Sequence, residues 1–220
     1  MNYKWPLNVS NFTWLDRLKI CGFFLNPKNF WTMNKYVQKF EKEMAAFMGF
    51  KYAVFVSSGS TANTILSMYL RDKLKKENSV RNIIILPSTT WQTSCSPWIR
   101  EGFDPYFIDI SMENFSIDSY KLLDFIHKNK DKIAAIFPTS LLGFNTNYYL
   151  FKQIRKQNPK IEIFIDQCEN NFGPFESYSL NVEHLQEFTS TTSTYMGHEI
   201  QSVEGGFIFT NDNKEYEHFL

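Results

Sequence analysis

The residues best suited to chemistry lie in three separated stretches. The last of them, Ser193-Thr-Tyr-Met-Gly-His198-Glu-Ile-Gln-Ser-Val-Glu204-Gly-Gly206, is polar and glycine-flanked and runs into the apolar, strand-like Phe207-Ile-Phe-Thr210. Imidazole titrates near pH ~6.5, so a histidine on such an irregular segment is able to move protons at neutral pH. Taken alone, one histidine among four is more often a surface or hydrogen-bonded structural residue than a catalyst. The first stretch, Ser57-Ser-Gly-Ser-Thr-Ala-Asn63, follows Tyr52-Ala-Val-Phe-Val56 and leads into a run carrying Ile65, Leu66, Met68, Tyr69 and Leu70. Strand, Gly-Ser-Thr turn and helix form an anion site in outline. Unpaired N–H groups point outward at the helix start, the helix dipole favours negative charge, Gly59 allows close approach, and Ser60 and Thr61 add hydroxyls. An ordinary Ser/Thr N-cap has the same pattern. The middle stretch is Ile165-Asp-Gln-Cys-Glu169. Asp166 directly follows an apolar run, which puts its carboxylate at a sheet edge with little solvent on one side, or makes it the cap of the next turn. Glu169 is either a second acid–base group or a loop residue.

These side chains need a frame. Asn34 can cap a helix whose apolar positions Val37, Phe40, Met44 and Phe47 recur at three and four residues, with Gly49 as its stop. A shorter helix is expected around Leu15 to Phe24. Asn82–Leu86, Pro105–Asp109, Ile133–Phe137 and Ile161–Ile165 are short apolar runs, and helical segments fall after Ser88–Ser94, near 118–130 and near 146–157. Repeated β-α-β punctuation with near-continuous apolar strands predicts an α/β fold. Its sheet is mostly parallel, helices cover both faces, and ligands sit at the carboxyl ends of the strands. Trp91, Asp109, Ser140 and Asp166 all fall at those ends.

Composition narrows the class. The content of 43% hydrophobic and 21% charged residues suits a globular protein, and 220 residues suffice for one buried core. Lysine plus arginine and aspartate plus glutamate number 23 each, so no basic footprint points to nucleic acid or an acidic membrane surface. No apolar run has the roughly 20 residues of a membrane span, and Met1-Asn-Tyr-Lys-Trp-Pro-Leu lacks a signal peptide's apolar core. A cytoplasmic location and a small-molecule partner are the expectation. Cys21, Cys95 and Cys168 lack metal-site or disulfide spacing, so no metal is expected.

Several motifs in order carry a resemblance. Val56-Ser-Ser-Gly-Ser-Thr-Ala-Asn63, Trp91, Ile165-Asp-Gln-Cys-Glu169, Ser193 and Glu204-Gly-Gly206 together resemble the DegT/DnrJ/EryC1/StrS family of pyridoxal-phosphate sugar aminotransferases, from about Lys28 to Thr210. The resemblance implies the type I, aspartate aminotransferase-like fold, with an N-terminal arm over 1–33 and a cofactor-binding large domain over 34–220. The family's small C-terminal domain would lie beyond Leu220, so the sequence is expected to be truncated. It also implies that Gly59, Ser60 and Ser193 bind the cofactor phosphate, with Thr192 or Thr194 as substitutes for Ser193. Trp91 would stack on the pyridine ring, and Asp166 would hold the ring nitrogen protonated.

The family's lysine, six residues before the Glu-Gly-Gly, is replaced by His198, and no lysine lies between Lys160 and Lys214. This replacement resembles a branch that removes the C3 hydroxyl of nucleotide-linked 4-keto-6-deoxy sugars in dideoxysugar biosynthesis of the O-antigen type. That branch uses pyridoxal 5′-phosphate and pyridoxamine 5′-phosphate. His198 and Glu169 would then be its acid–base residues, glutamate the amino donor and a homodimer the assembly. An aminotransferase homologue that lost its lysine, inactive or acting as a binding module, is the alternative. The stretch between Gly173 and Ser193 departs from the family pattern, which leaves the register over 174–192 open.

Overall fold

The computed structural model describes residues 13–170 and 182–220. Residues 1–12 of the expected arm and residues 174–181 of the open-register loop lie outside the described residues. Among the described residues, no helix is long and apolar enough to cross a membrane.

Helix α1 (Trp14–Leu25) starts with a capping box between Thr13 and Asp16 and buries none of its residues. Helix α2 (Lys35–Met48) begins and ends as its sequence dictates. The Asn34 side chain accepts from Tyr36 N–H, and Gly49 takes the left-handed conformation at φ 75°. Its apolar stripe follows the expected one at Phe40 and Met44 and departs from it in the last turn. Met44, Ala45 and Met48 are buried, whereas Phe47 is 39% exposed.

The sheet consists of β1 (Tyr52–Val56), β2 (Ile83–Pro87), β3 (Asp104–Ile108), β4 (Ile133–Ile136), β5 (Glu162–Asp166), β6 (Thr189–Ser193) and β7 (Gly206–Thr210). Their order is β1-β7-β6-β5-β4-β2-β3. Four pairs are parallel, and β7 runs antiparallel to both its neighbours, β1 and β6. The carboxyl ends of the other strands therefore share one edge, and β7 enters from it. Gly206 pairs with Val56 on one side and Ser193 on the other.

Helices α3 (Gly59–Lys76), α4 (Gln92–Arg100) and α7 (Asn213–Phe219) cover one face. Helices α2, α5 (Ser119–Asn129) and α6 (Tyr148–Gln157), with a 3-10 helix at Val182–Glu187, cover the other. Both faces are apolar because alternate residues of one strand point to opposite cores. Ile84, Leu86 and Ile208 join Leu66, Leu70 and Trp98, while Ile85, Phe207 and Phe209 join Met48, Phe151 and Ile165.

Strand β6 was not legible as a strand. Its sequence Thr-Ser-Thr-Thr-Ser has no apolar residue, yet all five positions are buried between β5 and β7. Threonine is β-branched and suits a strand, and hydrogen bonds offset the cost of burying the hydroxyl at Thr189 and Thr191, whereas Ser190 Oγ and Thr192 Oγ1 are buried with no hydrogen-bond partner among the described residues. Thr189 Oγ1 donates to Thr210 Oγ1 at 3.0 Å, and Thr191 Oγ1 donates to Asn63 Oδ1 at 2.7 Å.

The start of β7 passes flush against the start of α3. A Cβ added at Gly206 would lie 2.6 Å from Gly59 N and 2.7 Å from Ser58 O, both backbone atoms unable to swing away. Gly206→Ala is expected to lower unfolding stability by about 1–3 kcal/mol in urea titrations. Gly22→Ala in α1, where a Cβ meets nothing within 4 Å, should cost nothing. Equal stability of Gly206→Ala and the unaltered chain would contradict this packing.

Candidate active site

The helix start, two loops and two strand ends meet at the shared carboxyl edge. Ser58 caps α3 by accepting Thr61 N–H at 3.0 Å, and the first helical bond runs from Ala62 N–H to Ser58 O at 3.0 Å. The N–H groups of Gly59 and Ser60 thus precede the helical ladder, at the positive end of an 18-residue helix. A Cβ at Gly59 would lie 2.9 Å from both Ser193 Cβ and Cys168 Sγ, so Ser193 at the end of β6 stands beside that helix start. Ser60 Oγ donates to Thr93 Oγ1 at 3.0 Å, which ties the first turns of α3 and α4 together. Trp91, the N-cap of α4, is 70% exposed, a large indole left standing at the edge.

Asp166 closes β5 at 2% exposure. Its Oδ2 accepts from Ser94 Oγ at 2.6 Å and from Asn63 Nδ2 at 3.3 Å, and its Oδ1 accepts from Cys168 N–H at 3.0 Å. Burial, with the charge of Asp166 beside it, pushes the Cys168 thiol well above the ordinary thiol range. Glu169 clasps the turn after β4. Its Oε2 accepts Leu142 N–H at 2.9 Å and its carbonyl accepts Gly143 N–H at 3.0 Å, with both turn residues at positive φ. Behind it, Gln167 Nε2 donates to Ser140 Oγ at 2.9 Å and to Tyr148 Oη at 2.6 Å. Burial pushes that phenol up to about 12. Asp109 lies apart, in an exposed ion pair with Lys121 at 2.9 Å that holds its carboxyl below the usual range.

His198 is half-buried on the segment that links β6 to β7. Its N–H donates to Tyr195 O at 2.9 Å, and its ring meets the Tyr195 ring edge-on at 6.4 Å between centroids. The segment is pinched shut at its base. Thr194 N–H donates to Gly205 O and Ser202 N–H to Thr194 O, both at 2.9 Å, and the two hydroxyls lie 2.7 Å apart. Gly205 sits at φ 143°, where a Cβ would strike the Phe55 ring and Thr194 Oγ1 at 2.6 Å.

The structure thus places Gly59, Ser60, Ser193, Asp166 and Trp91 at the ends of four elements, α3, α4, β5 and β6. Glu169 it ties to the 142–143 turn. Asn63, Ser94, Thr191 and the Thr194–Ser202 pinch were missed in the sequence. The available signal was Asn63 itself, a polar residue on the same α3 stripe as Ala62, Leu66 and Leu70.

The donor set fits a phosphorylated pyridine such as pyridoxal 5′-phosphate. Helix-start N–H groups ahead of the helical ladder and the Ser193 hydroxyl suit its phosphate, an exposed indole suits its ring face, and a buried acceptor suits its ring N–H. The fold itself belongs to the class of pyridoxal-phosphate-dependent enzymes of fold type I. The chain superposes with TM-score 0.83 on a solved GDP-4-keto-6-deoxymannose-3-dehydratase with a trapped PLP-glutamate geminal diamine. The match is 30% identical and covers 98% of this chain and 54% of that one.

Within that class the chain is a member of the DegT/DnrJ/EryC1/StrS aminotransferase family, whose model matches residues 25–220. Among curated relatives, the GDP-4-keto-6-deoxy-D-mannose 3-dehydratase of Yersinia pseudotuberculosis is 33% identical over 87% of this chain and 47% of its own length. Its Escherichia coli namesake is 33% identical over 99% of this chain and 54% of its own. The chain therefore spans about half the length of the curated relatives it matches.

The raised Cys168 thiol gives a direct check on the site's interior. At pH 8 a maleimide reagent should label exposed Cys21 first and Cys168 at least about tenfold more slowly, since the thiolate is the reactive form. Peptide mapping that finds equal labelling rates would contradict this environment.

Proposed function

We propose that this chain is the cofactor-binding part of an enzyme that removes the C3 hydroxyl of a nucleotide-linked 4-keto-6-deoxy sugar, in dideoxysugar biosynthesis of the lipopolysaccharide type. The observation that carries the reading is His198. It occupies the Schiff-base position of a site otherwise equipped for pyridoxal phosphate, in a segment with no lysine between Lys160 and Lys214. When bound in its amine form, the cofactor supplies an amine for the sugar's C4 ketone and a sink for electrons.

The chain's residues do the rest. Gly59 and Ser60 N–H groups and the Ser193 hydroxyl bind the phosphate, and Trp91 stacks on the ring and shields it from water. Asp166 holds a proton on the ring nitrogen. His198, tethered at Tyr195 and free of any covalent duty, moves a proton to the oxygen of the departing C3 hydroxyl. Glu169 keeps the 142–143 turn in place beside them. The names of the similar dehydratases, and the glutamate adduct in one of their structures, support a nucleotide sugar as substrate and glutamate as amino donor. Exposed apolar side chains on and after α1, among them Trp14, Leu15, Leu25 and Trp31, support burial against a second copy. A cytoplasmic location follows from nucleotide-sugar chemistry.

Borohydride treatment of the pyridoxal-phosphate-loaded protein should leave no cofactor attached, whereas His198→Lys should become covalently labelled at residue 198. His198→Asn should retain the cofactor and lose deoxygenation by about 10²–10⁴-fold. A labelled lysine in the unaltered protein, or full product formation by His198→Asn, would overturn the assignment of His198.

A further inference from the structure

Two buried side chains with no role in the proposed chemistry converge on Asp166, and a third fixes one of them. Ser94, in the first turn of α4, donates its hydroxyl to Oδ2 at 2.6 Å. Asn63, one turn into α3, reaches the same oxygen with Nδ2 at 3.3 Å. The Asn63 amide has one orientation available. Its Oδ1 accepts the Thr191 hydroxyl at 2.7 Å, and its Nδ2 also reaches Thr93 O at 3.3 Å. Turning it over would set two acceptors, Thr93 O and Asp166 Oδ2, against its oxygen. Asn63 and Ser94 are 1% exposed and Thr191 is 0% exposed. An amide buried this deeply on an apolar helix stripe is costly unless both its ends are satisfied, and here both are.

We infer that Asn63 and Ser94, with Thr191 setting the orientation of Asn63, are positioning residues that hold the Asp166 carboxylate in the plane needed to receive a ring N–H. The inference rests on the pyridoxal-phosphate reading of the site. Neutral donors suit that task better than a cation would. A lysine or arginine at either position would neutralise Asp166 and compete with the ring nitrogen, whereas a hydroxyl and an amide orient the carboxylate and leave its charge for the ligand. The pairing is also divided between the oxygens. Both side-chain donors take Oδ2, and Oδ1 holds the Cys168 N–H at 3.0 Å. The Cys168 thiol also bonds the carboxylate, but S–H is a weak donor that a ring N–H displaces.

The test uses pyridoxal 5′-phosphate labelled with 15N at the ring, added to the unaltered protein and to Ser94→Ala, Asn63→Leu, Thr191→Val and Ser94→Thr. Affinity is read from tryptophan quenching and ring protonation from the 15N shift at pH 8, with circular dichroism as a check on folding. The unaltered protein should show a protonated ring nitrogen. Ser94→Ala and Asn63→Leu should bind about tenfold or more weakly, with the 15N signal moved toward the unprotonated value. Thr191→Val, which acts only through Asn63, should move it less, and Ser94→Thr should restore both readouts. Folded variants that keep the 15N shift of the unaltered protein overturn the inference, even if their affinity falls, because the side chains are then merely structural. Failure of the unaltered protein to bind overturns the cofactor reading itself.

Discussion

A carboxylate at the end of a central strand, 2% exposed, governs how the neighbouring elements must be built. Among the ion pairs of the described residues, none includes Asp166. Withdrawing a carboxylate from water costs several kcal/mol even after relaxation. Three donors converge on it from α3, α4 and the turn after β5, and hydrogen bonds to a charged group contribute about 1.5–3 kcal/mol each. These terms are of the same size, so the charge is tolerated only while all three elements keep their places. The requirement also explains an unusual strand. β6 carries Thr191 so that Asn63 is held from behind, and an apolar residue there would leave that amide oxygen without its partner.

The same geometry shapes the start of α3, the proposed anion end of the site. Gly59 is needed because Ser193 and Cys168 crowd it, and Gly206 because β7 runs against the α3 start. The first N–H groups of α3 lie at this crowded start, ahead of its helical ladder. The histidine segment is then hung between β6 and β7 by the Thr194, Ser202 and Gly205 backbone bonds, which fixes where His198 emerges. Rigid anchoring at both ends of a short polar segment is how an acid–base group is brought to a reacting atom without a covalent tether.

Much of this was legible in the residues. The caps at Asn34 and Ser58, the stop at Gly49 and the apolar strands follow local rules that the structure repeats. Asp166 was legible because a charge after an apolar run is out of place in an ordinary core, whereas Trp91 was one residue among several at the strand ends until the family resemblance singled it out. β6 was hidden because its burial is supported by partners distant in sequence, Asn63 and Thr210, which no local pattern displays. Phe47 misled for a related reason. Helical spacing gives the period of a stripe, whereas packing against the sheet sets its rotation, and here that selects Ala45 and Met48. The pull of Glu169 toward the 142–143 turn was equally invisible, since both turn residues are distant from it along the chain.

The dependence of the whole site on one buried carboxylate is tested most directly by thermal unfolding of the unaltered protein and of Asp166→Asn, each with and without saturating pyridoxal 5′-phosphate. A ligand that binds only the folded state raises Tm by an amount that grows with the logarithm of its concentration over Kd. The account predicts a clear cofactor-induced rise in Tm for the unaltered protein and its near-complete loss in Asp166→Asn, whatever the substitution does to the unliganded Tm. An undiminished rise in Asp166→Asn would contradict it.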